Sequence, residues 1–272
     1  MKIETNKISD YTTGGISLRE LSQAKPTGHA LGLHRDDYFA FCLLTQGELH
    51  INIDFKEYVL HSGEVGCMLP GQIHQYANIE NAKGFLMMID GVLLGDSNLH
   101  FMQHFIFPDH PLPIYPEKTA ELLALFPMLQ NRLQTPKAKD FARAIVDVFV
   151  EIFSQHDDTN NLNPRQREIF FKFKQLLDSH ITANRQPSFY ADKLHITTGY
   201  LNEILTEATG FSTSQMIQGE IVLRMKREVA YSTDSIQEVS RKLGFEDYAY
   251  FSRLFTKVVG ITPTLFRSKY HD

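Results

Sequence analysis

Cysteine is nearly absent: Cys42 and Cys67 are the only two in 272 residues. Both lie in alternating apolar contexts, which favours buried thiols over a disulfide and suggests a reduced, cytoplasmic setting. No run of about 18 apolar residues occurs, so no membrane-spanning helix and no membrane partner is expected. The opening Met1-Lys-Ile-Glu-Thr-Asn-Lys7 lacks the apolar stretch of a signal peptide. An overall basic excess is missing too, since the formal net charge is -5. That total hides an asymmetry. Residues 1–164 hold 12 Lys and Arg against 20 Asp and Glu, whereas residues 165–272 hold 15 against 12. A mildly basic C-terminal part implies weak, salt-sensitive attraction to a polyanion. What is present is ordinary for a globular protein: 43% hydrophobic and 22% charged residues, on a chain long enough for two domains with cores of their own.

Residues 1–115 read as β. Tyr38–Leu44 and Leu49–Ile53 are strand candidates, the second alternating apolar and polar with period two. Gly47, Gly63, Pro70-Gly71 and Gly91 punctuate short strands about every ten residues, as in a sandwich or barrel. From Pro116 the period becomes helical. Ala120, Leu123, Phe126 and Leu129 form one stripe, which Pro127 is expected to kink or end. Phe141, Ala144, Ile145, Val148, Phe149, Ile152 and Phe153 form another. This pair either serves dimerisation or only covers the β domain. The polar, aperiodic stretch beginning at Gln155 marks a linker, with Asn160-Asn161 as the hinge. The expected domains are 1–115, a helical dimerisation pair 116–157, a linker 158–166 and an all-α domain 167–272.

One structural unit is written twice near the C-terminus. Ala191, Leu194 and Ile196 match Ser240, Leu243 and Phe245. After a turn one residue longer in the second copy, Leu201, Ile204 and Leu205 match Phe251, Leu254 and Phe255. A short amphipathic helix, a tight turn and a second amphipathic helix make a helix-turn-helix, whose second helix fits the DNA major groove. Ser188 is a candidate N-cap, Ser235 and Glu238 have capping-box spacing, Asp247 can cap the second recognition helix, and Gly210 and Gly260 can end helices. The helical wheel leaves Thr198, Gly199, Asn202, Glu203 and Thr206 outward in the first unit, and Tyr248, Ala249, Ser252 and Arg253 in the second. Tyr250 is expected inward. Asn202 can make two hydrogen bonds to adenine and Glu203 can accept from cytosine. Arg253 can read guanine, contact phosphate or pair with a carboxylate of its own chain. Lys242, Lys257 and Arg267 suit phosphate.

Leu243-Gly-Phe245, Tyr250-Phe-Ser-Arg253, Phe255, Gly260-x-Thr-Pro263 and Phe266-Arg267 resemble the signature of the AraC/XylS transcription regulators. Tyr190-Ala-Asp-Lys-Leu194 and Tyr200-Leu201 are similar to that family's first helix-turn-helix. The resemblance covers residues 170–270 and puts base contacts on the same outward positions. It departs at Asp247-Tyr-Ala-Tyr-Phe251, where the family often has Asp-Pro-Ser-Tyr-Phe. The β region resembles a cupin: Gly63, Gly71, His74 and Asn78 stand at the spacing of the second cupin motif, with Pro70 displaced by one. In the first motif His34-Arg-Asp36 replaces the second His by Asp and lacks the Glu. His34, Asp36 and His74 could form a two-His, one-carboxylate set, yet a metal-free effector pocket of His34, Asp36, Tyr38 and His74 is preferred, and a plain structural role for His74 stays open.

The resulting expectation is an α+β protein. It has an N-terminal cupin-like β-barrel with its helical pair and a C-terminal all-α domain with two helix-turn-helix units. It implies a cytoplasmic, homodimeric, sequence-specific regulator of transcription with double-stranded DNA, a small effector and RNA polymerase as partners. No cofactor, metal or catalytic residue is expected. The alternatives are a metal-dependent cupin enzyme with a helical appendage, and a regulator whose barrel only dimerises.

Overall fold

The computed structural model describes residues 3–21, 32–78, 81–94, 112–113, 116–155 and 162–270. The chain divides into two compact units, residues 4–157 and residues 158–272 with 1–3. The expected hinge at Asn160-Asn161 and the side chain of Phe153 lie outside the described residues.

The first unit holds two five-stranded sheets rather than a closed barrel. One orders β1 (Glu4–Asn6), β3 (His34–Asp36), β8 (Ile73–Asn78), β5 (Glu48–Ile53) and β6 (Lys56–His61). The other orders β10 (Leu112–Pro113), β7 (Glu64–Met68), β4 (Phe39–Gln46), β9 (Lys83–Ile89) and β2 (Ile16–Glu20). β1 and β3 pair in parallel, and β3 pairs antiparallel with β8.

Period-two alternation along β4 explains its continuous apolar run, because both of its faces are buried. Ala40, Cys42 and Leu44 join Leu49, Ile51, Leu60 and Met88 in one core. Phe39, Phe41 and Leu43 turn the other way, into a core shared with the short helix α1 (Gly91–Leu94) and with helices α2 (Pro116–Gln130) and α3 (Ala138–Gln155). Cys67 lies in this second core and Cys42 in the first, so both thiols are buried and free, as the sequence suggests.

The helix pair uses most of its apolar face on its own sheet: Leu122, Phe126, Leu129, Ile145, Phe149 and Ile152 are buried there. The α2 stripe is rotated from the expected one, since Leu122 is buried and Leu123 is exposed. Pro127 does not end α2. Its missing N–H falls on the solvent side near the C-terminal turn, where water can serve the freed carbonyl.

In the second unit α4 (Pro164–His180) precedes the first motif, α5 (Pro187–Lys193) and α6 (Thr198–Thr209). α7 (Thr213–Tyr231) leads to the second motif, α8 (Ile236–Lys242) and α9 (Tyr248–Val259), and α10 (Pro263–Tyr270) closes it. The caps act as the sequence indicates. Ser235 and Glu238 form a reciprocal capping box, Asp247 Oδ1 accepts from the Ala249 N–H at 2.7 Å, and Gly210 and Gly260 end α6 and α9 in the left-handed region. Ser188 does not cap. It lies within α5, which begins on Pro187.

The turn of each motif needs one left-handed residue, His195 at φ +56° in the first and Gly244 at φ +72° in the second. They are not equivalent in space, for a Cβ on Gly244 would stand 2.0 Å from the Thr182 carbonyl oxygen. Gly244→Ala is therefore expected to destabilise the second unit by about 2–4 kcal/mol, combining left-handed strain with a backbone clash. His195→Gly should stay within about 1 kcal/mol of wild type. Denaturant unfolding of both variants checks the contrast, and a near-neutral Gly244→Ala would show that the close approach relaxes.

Candidate nucleic-acid interface and regulatory cluster

α6 and α9 are each amphipathic, and each is held by its apolar side. Leu201, Ile204, Leu205 and Ala208 bury one face of α6, leaving Thr198, Gly199, Asn202, Glu203 and Thr206 exposed. Phe251 and Phe255 are fully buried in α9, leaving Tyr248, Ala249, Arg253 and Lys257 exposed and Ser252 half-buried. Tyr250 faces outward, contrary to expectation, and is 52% exposed. It sits about 100° around the helix from Phe251, at the margin of the stripe, with its ring centroid 6.1 Å from that of Phe245.

Four polar side chains have structural partners that spacing does not disclose. Asn202 Oδ1 accepts from the Thr213 N–H at 3.0 Å, tying α6 to the start of α7. An amide oxygen has two lone pairs, so the second one and the Asn202 amide donors remain for a base edge. Arg253 Nη2 lies 3.7 Å from Asp247 Oδ2, with both side chains exposed. A surface pair of this kind contributes only about 0–1 kcal/mol, so the guanidinium can exchange it for another acceptor. Arg267, expected to suit phosphate, is engaged within its own unit. It is half-buried, and its Nε and Nη1 donate to the Val229 and Asp234 carbonyls at 2.7 Å each, closing the C-terminal end of α7. Lys242 pairs with Asp234, and Lys257 projects from the last turn of α9.

In the first unit, strand register assembles a polar cluster. His34 on β3 lies directly opposite His74 on β8, and Asp36, two residues along β3, shares their face. All three are buried, with the two imidazole centroids 4.3 Å apart. Nδ1 of His34 donates to the Gly32 carbonyl at 2.7 Å, and Nδ1 of His74 to the Gln72 carbonyl at 3.2 Å. The Asn6 amide donates to Asp36 Oδ1 at 3.1 Å, and the Tyr38 hydroxyl also bonds to Asp36. The four residues expected to line a pocket thus stand together.

Burial and the Asp36 charge raise the Tyr38 phenol well above its ordinary range, and burial does the same for Tyr76, so both stay neutral donors. Desolvation pushes the Cys42 thiol up to about 12 and holds His74 below the usual imidazole range, against the opposing pull of Asp36. Asn6, Tyr11 and Tyr76 border the cluster from separate strands and loops, and no spacing in the sequence points to them. Of the other histidines, His50 and His61 are surface partners of Glu48, while His100, His104 and His110 lie outside the described residues.

Comparison with known proteins agrees with this division. The family model for an AraC-like ligand binding domain matches residues 19–146, and that for a helix-turn-helix domain matches residues 190–269. The HTH-type transcriptional regulator YfiF of Bacillus subtilis (strain 168) is 25% identical over 260 residues, covering 88% of this chain and 80% of that protein. The HTH-type transcriptional activator RhaR of Mannheimia succiniciproducens is 21% identical over 251 residues, covering 88% of this chain and 87% of its own. Among solved structures, fatty-acid-bound ToxT from Vibrio cholerae aligns over 93% of this chain and 94% of that one, at 13% identity and a TM-score of 0.42.

The partners of Arg267 make a prediction. Arg267→Ala should cost the second unit about 2–3 kcal/mol of stability, because two charge-assisted bonds to half-buried carbonyls are lost. DNA affinity per folded molecule should not change. Thermal unfolding beside a salt titration of binding checks both, and a drop of about one in the salt slope would return Arg267 to the phosphate contacts.

Proposed function

We propose that this chain, which belongs to the AraC family of transcription regulators, reads an operator with α6 and α9 under the control of a small molecule held at His34, Asp36, Tyr38 and His74. The observation that carries the reading is the repeated framework. Two motifs each turn their apolar side inward, with Leu201, Ile204, Leu205, Phe251 and Phe255 fully buried, and leave a polar helix face open to a duplex. Thr198, Gly199, Asn202, Glu203 and Thr206 face one major-groove segment. Tyr248, Ala249, Ser252, Arg253 and Lys257 face another. Glu203 accepts from cytosine, Arg253 makes a bidentate contact with guanine, and Lys257 contacts phosphate.

Control requires that the effector favour one arrangement of the protein over another, since equal affinity for both shifts nothing. Leu123 and Met128, left exposed on α2, support a homodimer through the helical pair. Domains at 1–115, 116–157, 158–166 and 167–272 then have the roles of sensing, pairing, linking and reading. The protein acts in the cytoplasm, with promoter DNA and RNA polymerase as its partners, and regulates rather than catalyses.

Selection of bound sequences from random duplexes tests the DNA reading, and recovery of no preferred sequence would overturn it. On the selected operator, Arg253→Ala should weaken binding by about 1–3 kcal/mol and relax preference at one base position. Lys257→Ala should weaken operator and random DNA alike and lower the salt slope by about one. A uniform loss for Arg253→Ala would move that residue to phosphate. For the effector, thermal unfolding against sugars, organic acids and aromatic metabolites should give a stabilisation that rises with the logarithm of concentration and reaches about 2.7 kcal/mol at a hundredfold excess over Kd. No hit would reduce the first unit to a pairing domain.

A further inference from the structure

The buried cluster of the first unit consists of electron pairs facing one another. Each imidazole gives its Nδ1 proton to a backbone carbonyl, which can only accept, so in the neutral rings both Nε2 atoms carry lone pairs. Both look at one carboxylate, which also only accepts: His34 Nε2 is 3.8 Å from Asp36 Oδ1, and His74 Nε2 is 3.4 Å from Asp36 Oδ2. His74 Nε2 is buried and makes no hydrogen bond. Converging acceptors in a dehydrated space are costly unless something positive stands among them.

We propose that His34 Nε2, His74 Nε2 and the Asp36 carboxylate bind one divalent transition-metal ion. The spacing fits. Two ligand atoms about 2.1 Å from a tetrahedral ion stand about 3.4 Å apart, and the three ligand groups here lie within 4.8 Å of one another. The surroundings fit as well. Metal-bound histidines are typically oriented by a carbonyl on the other ring nitrogen, and ligating carboxylates by further donors. Here Gly32 and Gln72 do the first, and Asn6 and Tyr38 the second. Two imidazoles select the zinc, iron(II) and cobalt(II) class over magnesium or calcium, which take all-oxygen sets.

Three protein ligands leave a position open, and an oxygen donor on the effector, a carboxylate or hydroxyl, completes it. This last step rests on reading the cluster as the effector site. The metal itself departs from the sequence-level preference for a metal-free pocket.

The test is a Co2+ titration of chelator-treated, full-length protein, followed by visible absorption. The expected result is saturation at one ion per chain, with the strong absorption of four- or five-coordinate cobalt. His74→Ala and Asp36→Asn should each weaken binding at least about 100-fold. Asp36→Asn nearly keeps the side-chain volume and can still accept from Asn6, so a normal unfolding curve for it separates ligand loss from misfolding. His50→Ala, on the surface of the same sheet, should bind as wild type. Absence of saturable binding, or full binding by both ligand variants, overturns the site. So does 15N NMR showing a proton on Nε2 of either ring, unchanged by added Zn2+. Co2+ binding that no small molecule perturbs would keep the metal and remove the effector reading. A small molecule that binds the protein while Co2+ does not would do the reverse.

Discussion

Two recognition helices on one chain can read a duplex together only if each is held at a fixed angle to the other, and here one joint does much of the holding. Gly244, in the turn of the second motif, lies so close to the Thr182 carbonyl that no side chain fits between them. Three residues on, Arg185 lays its guanidinium over the Phe245 ring at 3.8 Å and donates to the Leu243 carbonyl. Residues 182–185 lead directly into α5, so the entrance to the first motif and the turn of the second share this contact. α7 makes the other connection, with Asn202 fixing its start and Arg267 its end. Polar side chains near both recognition helices are therefore engaged in setting geometry. This is what a reader of two groove segments requires, because a constellation held loosely by its supports loses discrimination before it loses affinity.

The first unit follows a different logic, centred on a strand buried on both faces. Tyr38, just before β4, bonds to Asp36 in the polar cluster. One and three residues later, Phe39 and Phe41 pack into the core formed with α2 and α3, the Phe41 and Phe149 rings being 5.0 Å apart. A few residues of one strand thus link the cluster to the helix pair. Only the bend at Asp37-Tyr38 separates Asp36 from Phe39, the first residue of β4, so little chain lies between the cluster and the packing against α3. Close packing on both sides makes such a strand a poor site for gradual deformation and a good one for a switch between discrete arrangements.

What could be read from the sequence divides along physical lines. Patterns that repeat within one element were legible. The double motif, its unequal turns, the capping box at Ser235 and the buried thiols follow from spacing alone, because burial imposes period two on strands and 3.6 on helices. Errors arose at the margins of those patterns. Helical spacing puts Leu123 and Tyr250 inward, whereas neighbours one step around the helix take the core positions. Closure of the sheets into a barrel was not legible either, since short strands at even spacing serve a barrel and two facing sheets alike. Partnerships between elements were hidden altogether. Nothing in the residues around Arg267 discloses that Val229 and Asp234 present carbonyls to it, and nothing near Asn202 discloses Thr213. The cluster was half legible: His34, Asp36, Tyr38 and His74 were grouped by motif spacing, whereas the tautomers that turn both Nε2 atoms inward depend on Gly32 and Gln72.

Those tautomers bear on how such a unit could act as a regulator. An imidazole free to rotate would turn a donor toward Asp36 and relieve the clash of lone pairs. The two carbonyl bonds oppose this, and the antiparallel register of β3 and β8 keeps the rings opposite one another, edge to face. The cluster is therefore held in a state that is unfavourable when empty of positive charge and favourable when a cation enters. The difference falls on β1, β3 and β8, the strands whose residues make the site. Coupling between allosteric sites is typically about 1–3 kcal/mol. A single charge only partly screened by protein is worth about 4 kcal/mol at 4 Å, so one ion leaves enough to bias the bend at Tyr38 that leads into β4.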